Sequence, residues 1–288
     1  MESIGGADGC DLPAGSLGPA HASGPRTRAS GNEKEEDGVL LTISVITAVL
    51  NRADVIEHAL TSVERQTWPH VEHVVIDGAS SDGTLDIARR HRDRLAVLMS
   101  EQDDGIYDAL NKGIAQSSGD AIGFLHSDDF YADDLVLERV GRMFEKTDVD
   151  GVYGDVDYVA RNNPSRVMRR WRSGAYYPSR LGWGWMPPHT TLFLRRSVVT
   201  KWGGFDTRLR IAADYDAVLR YLKAGCIRLA YVPDVLVKMR VGGESNRSLS
   251  RVLRKMREDY VALRRNRVGG VGALVWKNVS KLPQFIVR

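Results

Sequence analysis

From residue 41 onward, short apolar runs alternate with amphipathic stretches. LTISVIT (41–47) is largely apolar and β-branched, the pattern of a parallel strand buried on both faces. Over 53–66, Val55, Ile56, Ala59, Leu60 and Val63 keep helical spacing, which predicts a helix with one buried face. VEHVVID (71–77) predicts a second strand, GASSDG (78–83) a turn and 83–92 a second helix. LAVLMS (95–100) predicts a third strand, and 106–117 a third helix with Ile106, Ala109, Leu110 and Ile114 on one face. AIGFLHS (121–127), a helix over 133–146 and GVYGDV (151–156) continue the rhythm.

Such alternation means βαβ units around a mostly parallel sheet, an α/β fold with helices on its faces. Open sheets of this type bind ligands at the carboxyl ends of their strands. The polar residues to weigh are therefore Thr47, Asp77, Glu101 to Asp104, and Asp128 with Asp129. The second half is less regular. Strand-like pieces and LGWGWMPPH (181–189) fill 157–195, then a helix is expected over 213–224 and a strand over 227–232. Leu249, Val252, Leu253, Met256, Tyr260 and Leu263 mark a last amphipathic helix.

Composition narrows the choice only slightly. A chain of 288 residues that is 43% hydrophobic can bury a sizeable core. A net charge of +3 does not point to nucleic acid. Cys10 and Cys226 are the two cysteines, too few for a zinc-ligand set. Residues 1–38, rich in Gly, Ala, Ser, Pro and charge, predict a disordered tail. No run approaches the ~18 apolar residues of a membrane span, and MESIGGADGC lacks the basic start and apolar stretch of a signal peptide. A cytoplasmic protein is expected.

The strand ends carry the candidate chemistry. Asp77 in DGASSDGT (77–84) suits hydrogen bonding to the edge of a base, while the same segment also serves as a plain β-turn feeding a helix. HSDD (126–129) sets two carboxylates side by side, a costly arrangement unless a cation joins them; a divalent metal bridging a diphosphate fits. Its bland alternative is a helix cap. DDGIYDALNKG (103–113) opens a helix with Tyr107 and Asn111 on one face and Asp108 and Lys112 on the next, either a phosphate pocket or a solvated face with an ion pair.

Taken together, TAVLN (47–51), DGASSDGT, EQDDGIYDALNKG (101–113), FLHSDD (124–129) and IAADYD (211–216) closely resemble the inverting family 2 glycosyltransferases of GT-A fold, over about residues 41–246. Within that family the chain looks like the bacterial enzymes that assemble polysaccharides and glycolipids. The resemblance implies a Rossmann-like GT-A domain over 39–246, with a nucleotide-sugar half (39–156) and an acceptor half (157–246), followed by a basic helical extension (247–288). It implies that Thr47 and Asn51 border the nucleotide, that Asp77 holds the base, usually uracil, and that Asp104, Asn111 and Lys112 lie beside the donor. It implies a Mn²⁺ or Mg²⁺ ion on Asp128, supported by Asp129. Where the family often has Asp or Asn, this chain has His126, which leaves one clear metal-ligand match.

The same resemblance makes Asp214 the catalytic base, with Asp216 in reserve. His189, in MPPHTTLF (186–193), is expected with Asp216 at the acceptor or the leaving diphosphate. GGESN (242–246) resembles a loop that closes over the diphosphate. The expected partners are a nucleotide-sugar donor and a glycan or lipid-linked acceptor. Arg247, Arg251, Arg254, Lys255, Arg257, Arg264, Arg265 and Arg267 beside an apolar stripe read as a helix on an anionic membrane surface, or as a helix packed on the domain with solvated charges. A dehydrogenase is disfavoured because TAVLNRADV replaces GxGxxG. A nucleotidyltransferase, or a non-catalytic sugar-nucleotide-binding protein on the same fold, is the alternative.

Overall fold

The computed structural model describes residues 41–241, 249–270 and 272–274. The N-terminal tail, the GGESN loop, Arg247 and the residues after Leu274 lie outside these. Nine strands form one sheet: β1 (Ile43–Val49), β2 (Val71–Asp77), β3 (Val97–Ser100), β4 (Ala121–Phe124), β5 (Phe130–Tyr131), β6 (Gly151–Ala160), β7 (Asn163–Trp171), β8 (Phe193–Arg195) and β9 (Leu229–Arg240). The helices are α1 (Ile56–Glu64), α2 (Thr84–Arg90), α3 (Ile106–Gln116), α4 (Val136–Lys146), α5 (Arg196–Trp202), α6 (Ala213–Lys223) and α7 (Leu249–Arg265).

The strand order is β3-β2-β1-β4-β8-β6-β9-β5, with β7 paired to β6. The first four strands pair in parallel. β8 is antiparallel to both neighbours, and β6 and β9 run parallel. All seven β1 residues are buried, as a central strand covered on both faces requires. In α1, Ile56, Ala59, Leu60 and Val63 are the buried positions, at the spacing their pattern predicts.

β6 and β9 outrun their expected lengths. β6 continues to Ala160 and turns into a hairpin with β7; β9 continues to Arg240. Both extensions reach toward the carboxyl end of β4. α3 lies close on β1 because Gly113 has no side chain: a Cβ there would stand 2.3 Å from Ile46 Cγ2. That close approach sets the start of α3, and Tyr107 with it, at the strand ends.

Candidate active site

The carboxyl ends of β1 and β4, the first turns of α3 and α6, and α7 enclose a cavity of about 730 Å³. Asn51, Asp103, Tyr107, His126, Asp128, Asp129, His189, Arg210, Asp214, Arg240, Arg251 and Arg254 all line it.

At the nucleotide end, Asn51 adopts φ 51°, a left-handed conformation that Asn tolerates. Its side-chain oxygen accepts from Ser81 N at 2.9 Å, and its own N–H donates to Ser80 Oγ at 2.9 Å. Asn51 thus latches the 78–83 turn to the end of β1. Asp77 is fully buried behind Gly78. Its Oδ2 accepts from Ser80 N at 3.1 Å and Ser100 Oγ at 2.7 Å, while Oδ1 has no partner among the described residues.

The 101–108 loop departs from expectation. Asp103 lines the cavity; Asp104 does not, being exposed, with its carbonyl accepting from Arg210. Burial pushes the Asp103 carboxyl up, against the pull of Lys112. Lys112 is turned to the loop itself, 2.8 Å from Glu101 and 2.9 Å from the Gln102 carbonyl, and its hydrogen bond to Glu101 raises its pKa. Asn111 clamps a backbone: Nδ2 donates to Phe205 O and Oδ1 accepts from Phe205 N, both at 2.9 Å. Thr47 is buried in β1 with its hydroxyl 3.1 Å from His73 Nε2. Neither Asn111, Lys112 nor Thr47 lines the cavity.

The HSDD segment lies between β4 and β5. Asp128 lines the cavity, and its carbonyl accepts from Arg240 Nη1 at 2.7 Å. Asp129 is buried with Oδ2 unpartnered; burial first, and then the Asp128 charge, push its carboxyl well up. Arg240 stacks over Phe130, 4.9 Å from the ring centroid. No group of three or more His, Cys, Asp or Glu side chains converges as a metal cage among the described residues. A cation here would have at most one or two carboxylate ligands, the rest coming from phosphate and water. The unpartnered Asp129 oxygen beside Asp128 is the local sign of missing positive charge.

Asp214 also lines the cavity, from the first turn of α6, with its side chain 18% exposed. Tyr107 Oη lies 3.0 Å from Asp214 Oδ1 and 2.8 Å from the Ile211 carbonyl. Burial, then the Asp214 charge, raise the phenol well above its ordinary value. His189 Nδ1 is 3.1 Å from Asp214 Oδ2. His189 Nε2 meets His126 Nε2 at 2.9 Å, and burial, with the neighbouring His189, lowers His126 to about 4. Asp216, two residues on, points to the far side of the helix. It pairs with Arg220 at 3.3 Å and accepts from Asn266 Nδ2 at 3.0 Å, and it does not line the cavity.

α6 has no cap of its own, and α7 supplies one. Glu258 Oε2 accepts from Ile211 N at 2.7 Å and Ala212 N at 3.0 Å. The later half of α7 packs on the domain through Ala262 and Leu263, while its earlier half sends Arg251 and Arg254 to the cavity wall. Sequence patterning missed Arg210 and Arg240; it had named Asp103 and Tyr107 among the polar residues at strand and helix ends, and Arg251 and Arg254 only as cations of a membrane-facing or solvated helix.

Comparison with known proteins agrees with this geometry. The Glycosyl transferase family 2 model matches residues 44–203. An uncharacterized glycosyltransferase of Mycobacterium tuberculosis is 35% identical over 188 residues, 62% of this chain and 68% of that one. A PGL/p-HBAD biosynthesis glycosyltransferase of Mycobacterium bovis is 33% identical over 208 residues, 70% of this chain and 78% of that one. The fold is that of S. aureus TarS 1–349 in complex with UDP-GlcNAc (TM-score 0.62, 20% identity, 79% of this chain and 66% of that one). It is also that of the mannosyltransferase PcManGT from Pyrobaculum calidifontis in complex with GDP-Man and Mn²⁺ (TM-score 0.59, 19% identity, 85% of this chain and 71% of that one). With a GT-A sheet, a carboxylate-lined cavity at its strand ends and these relatives, the chain belongs to glycosyl transferase family 2 and is a glycosyltransferase.

Proposed function

We propose that the chain transfers a sugar, with inversion, from a nucleoside-diphosphate donor to a glycan or lipid-linked acceptor in cell-surface polysaccharide or glycolipid assembly. The observation that carries this reading is that Asp214 and Asp128, from distant parts of the chain, line one cavity. Asp214 takes the proton of the acceptor hydroxyl as its oxygen bonds to the anomeric carbon. The bond from that carbon to the diphosphate breaks, and its electron pair leaves with the nucleoside diphosphate. Asp128, with Asp129 beside it, would hold Mn²⁺ or Mg²⁺, which supplies electrostatic stabilisation of the leaving group.

The donor is UDP-linked on this reading. Asp77 does not itself line the cavity but lies next to Gly78, which does, with Oδ1 unpartnered; the imide N–H of uracil would satisfy it once the 78–83 turn gives way. The TarS complex holds UDP-GlcNAc, in keeping with this choice, whereas the PcManGT complex holds GDP-Man. Catalysis belongs to the 39–246 domain, which α7 completes.

For α7 the reading adds peripheral contact with an anionic membrane. Among the described residues no helix is long and apolar enough to cross a membrane. Yet Val252, Leu253 and Met256 are exposed, and the stretch from Leu249 to Arg257 holds four cations and no acid. Co-sedimentation with phosphatidylglycerol vesicles, lost with Leu253→Glu, tests that part.

The central test is a transfer assay with UDP- and GDP-sugars, Mn²⁺ and lipid-linked acceptors. Asp214→Asn should lower kcat by ~10²–10⁴-fold with donor affinity kept. The anomeric configuration of the product, read by NMR, decides inversion. Retention of configuration, or full kcat in Asp214→Asn, would overturn the assignment.

A further inference from the structure

His126 and His189 come from distant parts of the chain and meet behind the proposed base. Their rings cross at 63° with centroids 5.2 Å apart, and the two Nε2 atoms are 2.9 Å apart. That separation requires one proton between them. The far nitrogen of His189, Nδ1, faces the Asp214 carboxylate at 3.1 Å and so must carry a proton to donate. In a neutral ring only one nitrogen carries hydrogen, which leaves His189 Nε2 as the acceptor and His126 Nε2 as the donor. The last atom, His126 Nδ1, is then a bare lone pair. It is buried and has no partner among the described residues, as that assignment requires of it.

The chain of donors therefore runs one way, from His126 to His189 to Asp214. The Tyr107 hydroxyl, which shares its one proton between the Ile211 carbonyl at 2.8 Å and the other carboxylate oxygen at 3.0 Å, gives each oxygen of Asp214 a donor within reach. Hydrogen bonds donated to a carboxylate also favour its charged form, the one a base needs.

We propose that His189 is a positioning residue for Asp214, held in its tautomer by His126. On this proposal, which rests on Asp214 being the base, the histidine at the first position of HSDD serves the base and not the cation. His189 keeps its proton through the reaction; the proton of the acceptor goes to Asp214 alone.

The test compares His189→Ala, →Asn and →Gln in the full chain, with UDP-sugar and Mn²⁺, after thermal melts confirm folding. An Asn amide nitrogen reaches the position of Nδ1, whereas that of Gln reaches the position of Nε2. Alanine should lower kcat by about 10–100-fold and leave donor KM within about twofold, as expected for an interaction that acts on the chemical step. Asn should restore most of the loss and Gln little of it. His126→Ala should lower kcat less, and the double alanine variant no more than His189→Ala alone. A raised donor or acceptor KM at unchanged kcat, or equal rescue by Asn and Gln, would overturn the positioning role. Asp214→Asn measured alongside separates the two readings: if it is fully active, the base assignment fails, whatever His189 does.

Discussion

Asp128, after β4, and Asp214, in the first turn of α6, line the same cavity although they come from opposite halves of the chain. On the proposed reading, one carboxylate holds a cation against the diphosphate and the other deprotonates the acceptor. Their roles separate by environment. Asp128 sits beside buried Asp129 in a locally acidic turn, while Asp214 has Tyr107 against one oxygen and His189 against the other.

That separation predicts a metal effect confined to one of them. Calorimetric titration with UDP should show binding strengthened by Mn²⁺ and reduced at least tenfold (about 1.4 kcal/mol) by EDTA. Asp128→Ala should bind UDP as the wild type does with EDTA present, whether or not Mn²⁺ is added. Asp214→Asn should keep the full Mn²⁺ response. Equal metal dependence in Asp128→Ala and wild type would remove the cation from Asp128.

Arg251 and Arg254 predict that α7 contributes to phosphate binding. They add two cations to a cavity that Arg52, Arg210 and Arg240 also line. Arg251→Ala with Arg254→Ala should weaken UDP by roughly tenfold while uridine binding is unchanged, and the difference should shrink at high salt because exposed charges are screened. Loss of uridine and UDP affinity in parallel would mean that α7 shapes the cavity without contacting phosphate.

How much of this was legible in the sequence follows from range. The βαβ rhythm, the buried faces and the parallel strands are local periodicities, and they form where expected. β5 and β8, with two and three residues, are too short to show any period. Each of the motif segments from TAVLN to IAADYD also contributes at least one residue to a single cavity. What motif matching does not supply is side-chain direction. Asp216 was separable from Asp214 by helix geometry alone, since two residues turn a helix about 200°. By contrast, Thr47 facing His73, Asn111 holding Phe205 and Glu258 capping α6 depend on what packs alongside. No pattern along the chain carries that.

Asn111 accordingly predicts a stability effect where a donor contact had been expected. It satisfies both backbone groups of Phe205, whose ring packs 5.4 Å from Tyr107 and 5.1 Å from Phe124. Asn111→Ala leaves those groups unpaired, at a cost of ~1–3 kcal/mol. The melting temperature should fall by several degrees, with the donor dissociation constant within twofold of wild type. A large loss of donor affinity without a change in melting would return Asn111 to the donor site.

His73 predicts how stability depends on pH. The ring is buried next to Thr47, and burial, with the charge of His91 adding, lowers it from 6.5 to about 3. The unfolded chain therefore binds a proton that the folded chain refuses between these values. The stabilisation is complete above pH 6.5 and is lost as pH falls toward about 3, by ~1.4 kcal/mol per unit within the window. His126 and His58, also lowered by burial, act in the same direction. The measurement is thus the difference between wild type and His73→Gln, a side chain that can still reach Thr47 but does not titrate. Urea unfolding at pH 7 and pH 5 should show the wild type losing about 2 kcal/mol more than the variant. Identical losses would mean that His73 keeps an ordinary pKa in the fold.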